Sequence, residues 1–196
     1  MSFSNLISSA LEQATSHSSG GGSGSGSYDP EFSSAQHHAQ AHESSSGDSS
    51  LFSSALGFLS DRKSQYSEQP DIDEEHLVQS HQQLYNGGGG GGYGEEQQQH
   101  DSKSLGAGAA MQALKMFTSG GGGSSGDKNE FIGMAMAQAS KLWEEKSGSG
   151  NVSGDKQSAV NSAAEMAFKM YMKSQGSGSS GTGGPAALMS LASKFL

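Results

Sequence analysis

Short apolar stripes at helical spacing, cut apart by tracts of Gly and Ser, decide most of what this chain can fold into. Phe3, Leu6, Ile7, Ala10, Leu11 and Ala14 recur at i, i+3, i+4 and i+7, which places them on one face of a helix. Leu51, Phe52, Ala55, Leu56 and Leu59 repeat the pattern after Asp48, a good N-capping residue. Further stripes cover residues 71 to about 85, 104–118, 128–146, 155–174 and 185–196. In the first of these, Asp71 followed by Glu74 just after Pro70 predicts a capping box with Asp71 as the cap. The tracts at 16–27, 40–47, 86–94, 119–126, 147–154 and 176–184 have almost nothing to bury and read as linkers.

Composition sharpens this. Gly and Ser number 30 and 40 of 196 residues, a level typical of low complexity. Val, Ile and Thr together are only nine, so a sheet core is nearly ruled out, because strands favour β-branched side chains. The expected fold is therefore all-α: a small helical bundle or a stacked single-helix array with Gly/Ser-rich loops. Residues 1–47 are expected to be low-complexity and mostly disordered, with a short amphipathic helix at about 3–15. Residues 48–196 are expected to form the helical domain.

A loose five-residue sentence recurs in the stripes: Ala, any residue, Lys or Gly, then two large apolar residues. It is read at Ala55-Leu56-Gly57-Phe58-Leu59, Ala113-Leu114-Lys115-Met116-Phe117, Ala139-Ser140-Lys141-Leu142-Trp143, Ala167-Phe168-Lys169-Met170-Tyr171 and Ala192-Ser193-Lys194-Phe195-Leu196. A weaker copy is His81-Gln82-Gln83-Leu84-Tyr85. On a helix, positions i, i+3 and i+4 share a face and i+2 points away, where Lys belongs. Such short helices are marginal alone in water and must be stabilised by their neighbours. Convergence on one packing solution accounts for the repetition better than ancestral duplication does.

Several chemistries drop out. There is no cysteine, which excludes disulfides and thiolate sites, and no apolar run approaches the length of a spanning helix. The start of the chain, Met1-Ser2-Phe3-Ser4-Asn5-Leu6-Ile7, lacks a cationic region, so no secretory leader is expected there and an intracellular, by default cytoplasmic, protein is, with the nucleus also open. Net charge is −9 and Arg62 is the single arginine, so nucleic acid is not an expected partner. The first stripe has no Lys or Arg on its polar face, which argues against an anionic membrane surface.

The candidate constellations are weak. His38 and His42 would be i, i+4 neighbours on a helix, a metal-sharing spacing, with His37 and Glu43 beside them, but the favoured reading is a solvated polar segment. His76 and His81 are badly spaced for one ligand face, and His81 reads as a buried residue making a helix–helix hydrogen bond. His17 and His100 fall in linkers. Asp71, Asp73, Glu74 and Glu75 read as acids complementing a helix N-terminus rather than as an acid–base pair. The glycines at 87–92 lack the Lys-Ser/Thr and the preceding strand of a phosphate loop. Ser44, Ser45, Ser46, Ser49 and Ser50 precede or open a helix, where added phosphate charge would be favourable. Met111, Met116, Met134, Met136, Met166, Met170, Met172 and Met189 read mainly as core filling, with an adaptable binding face as the alternative. No catalytic, cofactor-binding or metal residue, and no small-molecule ligand, is nominated.

The runs from Gly47 to Leu59, Ala109-Ala110-Met111-Gln112-Ala113-Leu114-Lys115-Met116-Phe117-Thr118, Ile132-Gly133-Met134-Ala135-Met136 leading into Ala139-Ser140-Lys141-Leu142, Asp155 to Ala164, and Leu191-Ala192-Ser193-Lys194-Phe195 resemble, in order and spacing, a family of fungal proteins described as beta-flanking proteins. The resemblance covers about residues 47–196 and implies a domain of unknown function, with no site residues to carry over. The expected function is a non-enzymatic interaction or structural module, acting through a protein partner or self-association. The alternatives are a hydrophilic stress or desiccation protectant, suggested by a mean hydropathy of −0.58 and abundant Gly, and an enzyme of unknown class.

Overall fold

The computed structural model describes residues 30–43, 49–68, 71–86, 99–121 and 127–176. The expected stripes at 3–15 and 185–196, together with Ser44, Ser45, Ser46 and Asp48, lie outside the described residues. Within them are six helices: α1 (Ser33–His42, after a 3-10 turn at Pro30–Phe32), α2 (Ser49–Glu68), α3 (Glu74–His81), α4 (Ser102–Met116), α5 (Lys128–Gly148) and α6 (Lys156–Gly176). The expected all-α class holds.

Aspartate starts most of these helices, because its carboxylate can accept from the unpaired N–H groups of the first turn. Asp101 accepts from the Ser104 N–H at 2.8 Å, Asp155 from Ser158 at 3.0 Å and Asp127 from Asn129 at 3.2 Å. On α3 the cap is Asp73, which accepts from the His76 N–H at 2.9 Å, and not the expected Asp71, which is exposed. The shift has an apolar cause. With Asp73 as the cap, Ile72 sits just before it and Leu77 four residues into the helix, and both are buried in the same core, the arrangement of a hydrophobic staple.

Helices α4, α5 and α6 all pack on one another, and each outer helix leans chiefly on one of them: α1 on α5, α2 on α6 and α3 on α4. This is a bundle with an inner trio, not a linear stack. The inner contacts are made by small residues. Ala107, Ala109, Ala110 and Ala113 of α4, Ala135, Ala137 and Ala139 of α5, and Ala159, Ala163, Ala164 and Ala167 of α6 are all buried. A β-carbon at Gly106 would lie 2.7 Å from the Ala163 backbone nitrogen, and one at Gly133 would lie 2.6 Å from the Ala35 carbonyl oxygen. The helix backbones are thus nearly in contact at those two points.

The recurrent sentence is explained by this packing. Ala55, Ala113, Ala139 and Ala167 are each fully buried, and of the two large residues that close each copy one is buried: Leu59, Phe117, Leu142 and Met170. The other large residue of each copy, Phe58, Met116, Trp143 or Tyr171, is half-buried. Lys115 and Lys141 are exposed, whereas Lys169 pairs with Glu165 at 2.7 Å and lies over the Tyr66 ring. A two-residue parallel bridge, His100–Asp101 with Val152–Ser153, ties the start of α4 to the start of α6. Gly154 follows it at a φ of +120°, where a side chain would be strained.

Helix α1 occupies part of the segment whose composition suggests disorder, and of the linker expected at 40–47. Its apolar stripe is only Phe32, Ala35 and Ala39, too sparse to stand out among Ser, Gln and His, so docking rather than propensity decides it. Phe32 is 1% exposed and meets Phe168 of α6 edge-on at 5.9 Å. Glu31 pairs with both Lys63 of α2 and Lys128 of α5, and its carbonyl accepts from the Asn129 side chain at 2.8 Å. The Lys128 ammonium also lies 5.0 Å from the Phe32 ring centre. Four elements are clamped at this point.

Two outcomes follow. Gly133→Ala forces α1 away from α5 and is expected to cost about 1–3 kcal/mol by urea unfolding, the usual size of overpacking. Gly148→Ala, with nothing within 4 Å of the added carbon, is expected to be neutral or to stabilise by up to about 1 kcal/mol. If the two variants shift the urea midpoint alike, the close approach at Gly133 is refuted. Separately, Phe32→Ala is expected to cost about 3–5 kcal/mol, enough to threaten a marginally stable domain, and a midpoint within error of the parent chain contradicts the clamp.

Candidate functional site

The side chains that could do chemistry gather around α3, α4 and the C-terminal end of α5. His81, half-buried at the end of α3, places Nε2 3.0 Å from the Gln112 side-chain oxygen on α4. With that oxygen as acceptor, Nε2 carries the proton. This is the helix–helix hydrogen bond expected from the sequence. The imidazole also stacks on Tyr85 at 4.8 Å and 29°. Leu84 anchors the widened last turn that carries Tyr85, packing where a β-carbon at Gly108 would otherwise lie.

Burial pushes the Tyr85 phenol up to about 12, and the Glu145 carboxylate of α5 acts in the same direction. Burial also lowers the His100 imidazole from its ordinary value, with the Lys146 ammonium adding to the effect. Both rings are therefore held more firmly in their neutral forms. Trp143 fixes the neighbouring turn by donating from Nε1 to the Gly154 carbonyl at 3.3 Å. The arrangement suits holding helices together: the Nε2 proton of His81 is spent on a carboxamide, and the phenol beside it resists ionisation.

The remaining candidates are scattered. His38 and His42 do share α1 at i, i+4 and are half-buried, but the His38 β-carbon lies against Gly133, and His37 is exposed. Among the described residues, no group of three or more His, Asp or Glu side chains could hold a metal ion. The acids at the start of α3 divide: Asp73 caps the helix, Glu74 pairs with Lys173 of α6 at 2.5 Å, and Asp71 and Glu75 are exposed. Of the methionines, Met111, Met134, Met136 and Met170 are buried, whereas Met116, Met166 and Met172 are half-buried and border solvent.

An open depression of about 610 Å³ runs along the outer side of α3, lined by Glu74, Glu75, Val78, Gln79 and Gln82. These positions follow i, i+1, i+4, i+5 and i+8, one strip of a single helix. Sequence reasoning missed this strip and the Tyr85–Glu145 relation. The Tyr85–Glu145 relation joins residues far apart in sequence, and no local signal could have found it.

A sequence profile described as a domain of unknown function, DUF7721, matches residues 31–122. No curated protein and no solved structure matches the chain. The matched stretch opens at Glu31, the clamp residue, and takes in α1 to α4, but it stops short of α5 and α6, on which α1 and α2 pack. No helix among the described residues is long and apolar enough to cross a membrane.

The Tyr85 environment gives a pH-dependent outcome. A phenol pKa raised from 10 to about 12 stabilises the fold fully below pH 10 and ceases to do so as the pH rises through about 12. Absorbance titration at alkaline pH is expected to show a late-ionising phenol that disappears in Tyr85→Phe. An unchanged titration curve in that variant contradicts the burial of this group.

Proposed function

We propose that this chain is a non-enzymatic helical module that works by binding another protein or a second copy of itself. The observation that carries this reading is the division of the methionines. The inner trio is sealed by Ala and Gly contacts, with Met134, Met136 and Met170 inside it, while Met116, Met166 and Met172 are left at the solvent boundary. Flexible thioether side chains there can adapt to a partner's surface. His81, the best candidate for proton transfer, is committed to Gln112, and a reaction site would need convergent polar groups in a concave pocket.

Kinship with the fungal beta-flanking proteins is part of the same proposal, in keeping with a domain of unknown function at residues 31–122, which overlaps part of the stretch that carries the resemblance. The chain is taken as intracellular, cytoplasmic by default. The protectant alternative requires a chain largely unfolded in dilute buffer, which the continuous buried core running from Phe32 to Met170 speaks against.

Far-UV circular dichroism with a thermal melt separates the two readings. The module is expected to be helical in dilute buffer and to melt in one cooperative step. Helix that forms only on drying or in trifluoroethanol supports the protectant instead. Affinity capture from native cells is then expected to lose its bound protein in the Met116→Lys, Met166→Lys or Met172→Lys variants with the melt unchanged. Retention of the same partner by all three variants contradicts a binding role for these methionines.

A further inference from the structure

We propose that the end of the bundle where α4 and α6 begin is an acid-sensitive latch, closed while His100 is neutral and opened when His100 takes a proton beside the Lys146 ammonium. His100 falls in an expected linker, yet the fold makes it a joint. It pairs with Val152 in the parallel bridge, and its N–H donates to the Asn151 carbonyl at 2.9 Å. The Asn151 N–H donates in turn to the Lys146 carbonyl at 3.1 Å. One residue thus ties the chain entering α4 to the turn between α5 and α6.

The bridge closes over apolar groups of its own. Leu84, Leu105, Leu142 and Ala159 form a buried cluster apart from the main core, with Trp143 and Val152 packed on it. Just past Val152, the Gly154 carbonyl accepts from Trp143. A cluster separate from the main core can open while the rest of the bundle stays closed. The latch lies where α4 and α6 start, whereas Met116 and Met172 lie toward their other ends, so it stands independently of the methionine surface.

Charge supplies the trigger. The Lys146 side chain is only 19% exposed, and its ion pair with the adjoining Glu145 is a long 3.8 Å. A second cation beside it has little water to screen the repulsion. Burial and, after it, the Lys146 ammonium hold the His100 imidazole below its ordinary value of 6.5, against the opposing pull of Asp101. The other charged groups here, among the described residues, are already engaged. Asp101 accepts from the Ser104 N–H and stands near His76 of α3 and Lys103 of α4. On the α6 side, Asp155 caps the helix and Lys156 pairs with Glu144 at 2.6 Å. The stability contributed by neutral His100 is therefore present above about pH 6.5 and lost as the pH falls through its lower value in the fold.

Trp143 is the one tryptophan of the chain, so its fluorescence reports on the latch directly. In the full chain, lowering the pH from about 7.5 to about 5 is expected to shift the emission to the red, with the far-UV circular dichroism unchanged. The shift is expected to vanish in His100→Gln, to shrink in Lys146→Met and to persist in His81→Gln. Over the same range, and after correction for intrinsic rates, the amides of His100 and Asn151 are expected to exchange about tenfold faster, with those of 131–137 in α5 unchanged. No shift in the parent chain, a shift that survives in His100→Gln, or one undiminished in Lys146→Met overturns the latch. Loss of the shift in His81→Gln assigns it to the imidazole stacked on Tyr85 and overturns the role of His100. Equal acceleration at 131–137, or a parallel loss of helix, overturns local opening.

Discussion

Close approach of helix backbones at Gly106 and Gly133 is the constraint on which the rest of the bundle depends. Where two helices nearly touch, the positions around the crossing must be small, and the buried faces of α4, α5 and α6 are rich in Ala for that reason. Small side chains carry little apolar area each, yet they let many main-chain atoms meet at van der Waals distance, and such contacts are individually weak and collectively large. This is how a chain with so few Leu, Ile, Val and Phe residues builds a continuous core. The large residues that remain, such as Phe52, Phe131 and Leu114, fill the spaces the crossings leave.

Tight packing of thin helices leaves the termini as the weak points, and charge deals with them. Asp73, Asp101, Asp127 and Asp155 each accept from a first-turn N–H, so four helix starts share one device. Glu31 closes the bundle from outside by drawing Lys63 and Lys128 together over Phe32. Charged residues are only 16% of the sequence, but several of them sit where a helix begins or where elements converge.

What was legible in the sequence is what depends on local spacing. The all-α class, the stripes of α2 to α6, the exposed Lys115 and Lys141 of the repeated sentence and the helix–helix role of His81 could all be read from residues within a few turns of one another. Helix α1 was hidden because Phe32, Ala35 and Ala39 are too few to impose a period, and only the surfaces of α5 and α6 make them sufficient. The α3 cap was misplaced because Asp71 and Asp73 both precede an acidic turn, and the choice fell to the burial of Ile72. The Tyr85 environment and the Glu74–Lys173 pair join parts of the chain far apart in sequence, which no motif encodes.

The pairing of outer with inner helices also sets a timetable. Helix α1 rests on α5, and α2 on α6, so each early helix finds its support only after roughly a hundred more residues have left the ribosome. At ~10 residues per second that interval is on the order of ten seconds. Through it the nascent N-terminal half must stay unaggregated with its stripes uncovered. The serine, glutamine and glycine that make this half so unpromising as a folding sequence are well suited to that wait.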